Sequence, residues 1–102
     1  MKWLKKIFAP HPKQFNLRTE QANFLSAIKA KWGHGIEFFA GDAFYMISEE
    51  YLDWFNKEAE MKKIYCINDR ESATLELLEA FRMQGLLTKR VDDQNYWYYT
   101  LK

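Results

Sequence analysis

The chain of 102 residues is 48% hydrophobic and 18% aromatic, and its 15 basic and 14 acidic side chains leave a formal net charge of +1. This length allows one domain with a modest core, and so apolar a composition excludes an intrinsically disordered chain. The single cysteine, Cys66, excludes an internal disulfide and favours a reduced, cytoplasmic setting. No apolar run approaches the roughly 18 residues of a membrane-spanning helix.

Charge is distributed unevenly along the chain. Residues 1–18 contain five basic side chains and no acidic one, whereas the remainder contains 10 basic and 14 acidic side chains. We therefore predict a basic N-terminal arm over residues 1–18 and a folded domain over residues 19–102. Such arms contact nucleic acid or anionic lipid in some proteins and are solvated tails in others, and both interpretations stay open at this stage.

The first helix of the predicted domain runs from about Thr19 to Trp32. Thr19 is a suitable N-cap, apolar residues recur at helical spacing, and Gly33 ends the segment. Residues 36–47 are rich in aromatic and β-branched residues, and Gly41 and Asp42 divide them. This pattern predicts a β-hairpin.

Two further helices are expected in the middle of the chain. Ser48 is predicted to cap a helix over residues 49–60, and Asn68 or Asp69 to start another. The apolar stripe of this later helix is predicted to consist of Leu75, Leu78 and Phe81, with Leu77 at its edge. The short apolar run at residues 64–67 is compatible with either a strand or a connection.

The C-terminal third gives the clearest pattern. Gly85 ends the third helix, residues 86–91 form a strand, residues 92–95 a turn, and residues 96–101 the returning strand. Alternation places Trp97, Tyr99 and Leu101 on one face and Tyr96, Tyr98 and Thr100 on the other. A helix followed by a terminal hairpin is how winged helix-turn-helix domains end. The predicted class is therefore α+β, winged helix-turn-helix-like, with three main helices and two β-hairpins.

Two stretches, residues 42–55 and residues 78–101, carry a family resemblance. They resemble the C-terminal domain of TraI-type conjugative relaxases of the MobH group, and the likeness spans roughly residues 19–102. The resemblance implies a winged-helix-like module of a mobile element that takes part in conjugation. The relaxase chemistry of those proteins belongs to another domain, so the resemblance supplies no catalytic residue.

Nucleic-acid binding is the first candidate activity, because affinity for DNA depends on cations placed against phosphates. The candidate backbone contacts are Lys5, Lys6, Lys13, Arg18, Lys89 and Arg90. The carboxylates of Glu71, Glu76 and Glu79 would repel phosphate, so we do not expect the third helix to enter the major groove.

Aromatic residues of the closing strand form a second group of candidates. Tyr96 and Tyr98 could stack on unpaired bases or anchor a protein interface. Trp97 and Tyr99 are instead expected to stabilise the wing through cross-strand pairs.

Other classes of site find little support in the sequence. His11, His34 and Cys66 have no metal-ligand spacing, and there is no phosphate loop or nucleophile motif. The sequence thus predicts a non-enzyme without metal or cofactor. Residues 1–8 are too few for more than weak association with an anionic membrane, so membrane binding is not expected.

Two functions remain after these exclusions. The first is a non-catalytic winged-helix accessory protein of a mobile element that binds nucleic acid, either DNA or RNA, through backbone contacts. The alternative is a protein-interaction module, or a small inhibitor that docks on a host or conjugation complex. The sequence does not specify an oligomeric state.

Overall fold

The computed structural model of the chain describes residues 15–61 and 70–102. Within them the chain forms three α-helices and a three-stranded antiparallel sheet, which confirms the predicted α+β class. The helices are α1 (Leu17–Lys31), α2 (Glu49–Met61) and α3 (Arg70–Met83), and the strands are β1 (Glu37–Phe39), β2 (Leu87–Val91) and β3 (Trp97–Leu101). Arm residues 1–14, the apolar run at 64–67 and the expected start of the third helix at 68–69 lie outside the described residues.

Helix α1 begins earlier than the sequence predicted. Asn16 is the N-cap, and its Oδ1 accepts a hydrogen bond from the backbone N–H of Thr19 at 3.0 Å. Thr19 as the N-cap is therefore wrong, because the amide oxygen of Asn16 already satisfies the N–H of Thr19. Phe15 stacks on Trp54 of α2 with ring centroids 5.5 Å apart. Phe15 and Leu17, from the stretch predicted as the arm, thus pack against the core of the domain.

This cap can be tested by substitution. Asn16→Ala should lower the free energy of unfolding by about 1 kcal/mol, because it removes the acceptor for a helix N–H. Thr19→Ala should leave the free energy almost unchanged, since alanine has the higher helix propensity. Urea denaturation followed by circular dichroism measures both. A greater loss for Thr19→Ala than for Asn16→Ala would contradict the assignment.

The predicted hairpin at residues 36–47 is wrong, and the part of the chain that the structure describes has one hairpin instead of two. Only Glu37–Phe39 is a strand, and it pairs with β3 so that Phe38 lies opposite Tyr99. The segment that was expected to return as a second strand begins with a 3-10 helix, Ala40–Ala43.

Burial explains why this segment coils. Ala43 and Ile47 are buried, whereas Tyr45 between them is 85% exposed. Residues four apart lie on the same side of a helical turn. A strand would instead place Ala43, Tyr45 and Ile47 together on one face, which the exposure of Tyr45 excludes. The backbone N–H of Met46 accordingly donates to the carbonyl oxygen of Ala43 at 3.0 Å.

Ser48 caps α2, as predicted. Its Oγ accepts from the backbone N–H of Tyr51 at 3.0 Å and donates to Oε2 of Glu20 at 2.8 Å. The second bond ties the start of α2 to the first turn of α1. This single hydroxyl therefore fixes both the beginning of a helix and its position in the fold.

Helix α3 supplies the centre of the core, with one change from the predicted stripe. Leu77 and Leu78 are fully buried and Phe81 stacks on Phe24 of α1 at 6.2 Å between centroids, whereas Leu75 is only partly buried. The prediction that placed Leu75 in the core and Leu77 at its edge is wrong. The helix meets a sheet as well as another helix, so its buried surface is wider than one stripe.

The C-terminal hairpin forms as predicted. Gly85 adopts φ +81°, the left-handed conformation that ends a helix, and β2 then pairs with β3. The sheet order β1-β3-β2 makes β3 the central strand. Tyr99 and Leu101 are buried on the core face, which confirms the predicted alternation.

Candidate functional site

The cations of the predicted arm are described only in part. Lys5, Lys6 and Lys13 lie outside the described residues, so their proposed phosphate contacts stay predictions. Arg18 lies in the first turn of α1 with an exposed side chain.

Lys89 on the wing is largely enclosed. It stands opposite Tyr99 on the core face of the sheet, and its side chain is only 18% exposed. Its Nζ lies 3.3 Å from the ring centroid of Trp97 and 3.5 Å from Oε1 of Glu79. The charge of Lys89 is therefore compensated within the protein.

Arg90 is also paired, on the outer face of the sheet. Its guanidinium donates to both carboxylate oxygens of Glu37, at 2.9 and 2.6 Å, and lies 4.4 Å from the ring centroid of Tyr98. These hydrogen bonds from Arg90 lower the pKa of Glu37. Both wing cations named as phosphate contacts are thus held by carboxylates from other parts of the chain.

The core face joins α3 to the wing through Glu79. Its Oε2 accepts from the hydroxyl of Tyr99 at 2.8 Å, and Arg82 donates to both oxygens, at 2.9 and 3.0 Å. The Arg82 hydrogen bonds, with those of Tyr99 and the charge of Lys89, lower the pKa of Glu79 to about 2. Burial and the hydrogen bond to Glu79 raise the pKa of Tyr99. This cluster is a structural clamp in which both carboxylate oxygens of Glu79 are engaged.

Tyr96 and Tyr98, the two tyrosines predicted to make contacts, differ in availability. Tyr98 lies under the Arg90 guanidinium, and its hydroxyl donates to Oδ2 of Asp92 at 3.4 Å. Tyr96 is 50% exposed and meets Phe39 edge to face, with centroids 5.7 Å apart. Of the two, Tyr96 offers the larger open surface.

The wing turn holds Tyr96 in place. Oδ1 of Asp92 accepts from the backbone N–H groups of Gln94 and Tyr96, both at 2.9 Å. Asn95 adopts φ +68°, a left-handed conformation that asparagine tolerates better than most residues. The tip is therefore a fixed turn that presents the following aromatic pair.

Next to this turn lies a groove of about 350 Å³, which we call the wing groove. The wing tip, the 3-10 helix and the first half of α3 form its walls. Four aromatic side chains converge on it, together with a few small, apolar and polar residues. The lining consists of Phe39, Ala40, Gly41, Phe44, Glu71, Leu75, Asn95, Tyr96 and Trp97.

Gly41 allows Phe39 to lie along this groove. A Cβ atom at position 41 would approach Cε2 of Phe39 to 2.4 Å, so a larger residue would displace the ring. Phe38 and Phe39 are adjacent in a strand and point to opposite faces, with Phe38 buried and Phe39 exposed. Their adjacency was the one sequence signal that could have indicated an outward aromatic side chain here.

The described residues contain no group of three or more His, Cys, Asp or Glu side chains that could hold a metal ion. His34 is exposed, and its Nδ1 lies 2.5 Å from the carbonyl oxygen of Lys102. Within residues 15–61 and 70–102, no helix combines the length and apolarity needed to cross a membrane.

Comparisons with known proteins identify no family for this chain. No protein-family model matches it, and neither the curated proteins nor the solved structures gave a significant match. Inferences about function therefore depend on the geometry of the described residues.

Proposed function

We propose that this chain is a non-catalytic protein-interaction module that binds a peptide segment of a partner in the wing groove. The observation that carries the proposal is the convergence of Phe39, Phe44, Tyr96 and Trp97 on one open groove. Its volume of about 350 Å³ lies at the lower end of the ~300–1,000 Å³ found for ligand pockets. Aromatic side chains in such concave settings are the usual anchors of protein interfaces.

Electrostatics favours a protein partner over nucleic acid. Lys89 and Arg90, the wing cations, are engaged by Glu79 and Glu37. A phosphate would have to displace those carboxylates, and each displacement would break a hydrogen-bonded ion pair. Helix α3, which precedes the wing, exposes the carboxylate of Glu76 towards solvent.

A winged-helix architecture forms part of this proposal. Helix α3 leads directly into the β2–β3 ribbon, and a single strand, β1, completes the sheet beside β3. Without the expected first hairpin, the order of elements is closer to a plain winged helix. Kinship with the C-terminal domain of TraI-type relaxases is consistent with this order and would make the module an accessory of conjugation.

Selection from a phage-displayed library of random peptides tests the proposed activity. We expect peptides that bind the intact chain and lose at least about tenfold in affinity on Tyr96→Ala, since one hot-spot aromatic contributes ~2 kcal/mol or more. Tyr45→Ala is the matched control, because Tyr45 is 85% exposed and does not line the groove. Binding should survive this second substitution.

Nucleic acid is the competing outcome. Fluorescence anisotropy of a labelled duplex and a labelled single strand, measured with the intact chain over a range of salt concentrations, would detect it. Salt-sensitive binding of either probe, together with a selection that yields no groove-dependent peptide, would refute the protein-interaction proposal.

A further inference from the structure

β2 is an edge strand of the sheet, with a strand neighbour on one side only. Among the described residues it pairs with β3, and no other backbone hydrogen bond reaches residues 87–91. Its five residues extend for about 17 Å, whereas β1, the other edge, has three residues and runs directly into the 3-10 helix. Of the two edges, β2 therefore offers the longer one to a further strand.

Hydrogen bonds at the two ends of the hairpin show how the backbone of β2 is oriented. The N–H of Asp92 donates to the carbonyl oxygen of Tyr96 at 3.0 Å, just beyond one end of the strand. The N–H of Lys102 donates to the carbonyl oxygen of Leu86 at 3.1 Å, just beyond the other end. Residues 86 and 92 thus turn their backbone groups towards β3.

The direction of these groups alternates from residue to residue in an antiparallel pair. The N–H and C=O groups of Leu87, Lys89 and Val91 therefore point away from β3, and they have no backbone partner among the described residues. The same three residues, with Thr88 and with Arg82 of α3, line an open slot of about 620 Å³. Donors and acceptors thus alternate along an open edge of the sheet.

Such an edge can bind an extended polypeptide as an additional strand. Main-chain hydrogen bonds then supply affinity, and the flanking side chains supply selectivity. Val91 is 45% exposed and Thr88 is exposed, so two β-branched side chains are available on β2. Cross-strand neighbours that are also β-branched pack well against them.

A second copy of β2 is a poor occupant of this edge. Pairing of two copies over all five residues through the outward backbone groups places Lys89 directly opposite its own counterpart. The neighbouring registers pair only three residues, and one of them places Arg90 opposite its counterpart. Like charges in these positions destabilise a sheet. An added cation would also compete for the carboxylates that hold Lys89 and Arg90.

We propose that the free edge of β2 pairs with an extended segment of a partner polypeptide, which adds a strand beside β2. The segment carries β-branched residues and has no lysine or arginine opposite Lys89 and Arg90. This interaction goes beyond the one proposed for the wing groove and does not depend on it, since the slot and the groove share no lining residue.

Three blocked heptapeptides test the proposal on the full chain. The first is Thr-Val-Glu-Val-Glu-Val-Thr, and the second has lysine in place of both glutamates. The third has the first sequence with N-methyl groups on its five central residues, which removes the donors of a new strand and blocks its approach. Hydrogen exchange of individual amides, followed in ¹H–¹⁵N spectra, reports on β2.

The expected pattern of exchange follows from the orientation of the backbone. In the free chain the amides of Leu87, Lys89 and Val91 should exchange faster than those of Thr88 and Arg90, which face β3. A saturating amount of the first peptide should slow the three outward amides at least about tenfold. The lysine peptide should bind about fivefold more weakly, and the methylated peptide should have no effect.

Variants of Val91 assign the binding to this edge. Val91→Pro removes an outward N–H without removing a hydrogen bond to β3, and its ring obstructs an added strand, so the first peptide should bind at least about tenfold more weakly. Val91→Ala keeps the N–H and should stay within about threefold of the unmodified chain. Tyr96→Ala, in the wing groove, should leave the affinity unchanged. Circular dichroism verifies that each variant is folded, and the methylated peptide tests the pairing independently of them.

Several results would overturn the proposal. These are equal affinity for the methylated and unmethylated peptides, unchanged exchange of the outward amides with the first peptide, or a lysine peptide that binds as tightly as the first. Slow exchange of the outward amides in the free chain, together with a dimer in sedimentation, would show that a second copy covers the edge and would also overturn it. The library selection described above tests the wing groove separately.

Discussion

Replacing Tyr99 with alanine should lower the free energy of unfolding by about 4 kcal/mol, within the range for loss of a buried aromatic ring. Tyr99 is fully buried at the centre of the sheet, and its ring packs on Phe38 with centroids 6.3 Å apart. Its hydroxyl also donates to Glu79. Since small domains have only ~5–15 kcal/mol of stability, this variant should be close to unfolding.

The phenylalanine variant separates the ring from the hydroxyl. Tyr99→Phe keeps the packing and removes one hydrogen bond to an ionised group, so we expect the free energy of unfolding to fall by about 1.5 kcal/mol. Urea denaturation at neutral pH, followed by circular dichroism, measures both variants. Tyr45→Ala serves as the exposed aromatic control and should stay within about 0.5 kcal/mol of the unmodified chain. A loss below 1 kcal/mol for Tyr99→Ala would contradict the central position of β3.

The second large effect that we expect is that of Glu79→Gln, which should lower the free energy of unfolding by about 2 kcal/mol at neutral pH. The substitution keeps the size of the side chain but removes the charge that binds Arg82 and Lys89. The carboxylate is 28% exposed, so solvent screens part of the interaction, and the expected loss is correspondingly moderate.

The pH dependence of this effect has a defined sign. The pKa of Glu79 falls from its ordinary value of 4.5 to about 2 in the folded chain. A carboxylate whose pKa is lowered by folding contributes fully to stability when the pH is above its pKa in the unfolded chain. That contribution is lost as the pH falls through its pKa in the folded chain. The difference in stability between the unmodified chain and Glu79→Gln should be constant from neutral pH to about 5 and then shrink towards pH 2.

Glu76→Gln on the same helix is the control for this comparison. It should change the free energy of unfolding by no more than about 0.5 kcal/mol. Equilibrium unfolding in urea at a series of pH values provides the measurement. A difference between Glu79→Gln and the unmodified chain that grows on acidification would mean that Glu79 is not clamped in the folded state.

The elements that the sequence predicted well are those with strong local signals. Gly33 and Gly85 end helices through left-handed backbone conformations, and Ser48 caps α2 with its own hydroxyl. In the strand at 97–101 the side chains alternate between two faces, and Tyr99 and Leu101 are the buried ones. In each case the determining interaction lies within a few residues, so a short stretch of sequence contains it.

The errors arose where distant residues decide the structure. Aromatic residues at 36–47 have strand propensity, but the partner of β1 is β3, and Ala43 and Ile47 turn inward as a coil instead. Leu77 is more deeply buried than Leu75 because α3 packs on a sheet as well as a helix. Tertiary packing overrides propensity in both places.

The candidate site illustrates the same limit. The sequence alone leaves Lys89 and Arg90 as available cations, because their partners, Glu79 and Glu37, are distant from them in sequence. Tyr96 could be named from the closing strand alone. The wing groove could not, because it combines three separate segments whose proximity only the fold establishes.

β3 is the only strand that pairs with both of the others among the described residues. Its hairpin partner β2 is close in sequence, whereas the β1 residues opposite it lie about sixty positions earlier. Because long loops cost more entropy to close than short ones, β1 should join the sheet late in folding. On the ribosome, β1 and β2 would remain without a neighbour until residues 97–101 emerge from the exit tunnel. The sheet can therefore be completed only once β3 is available.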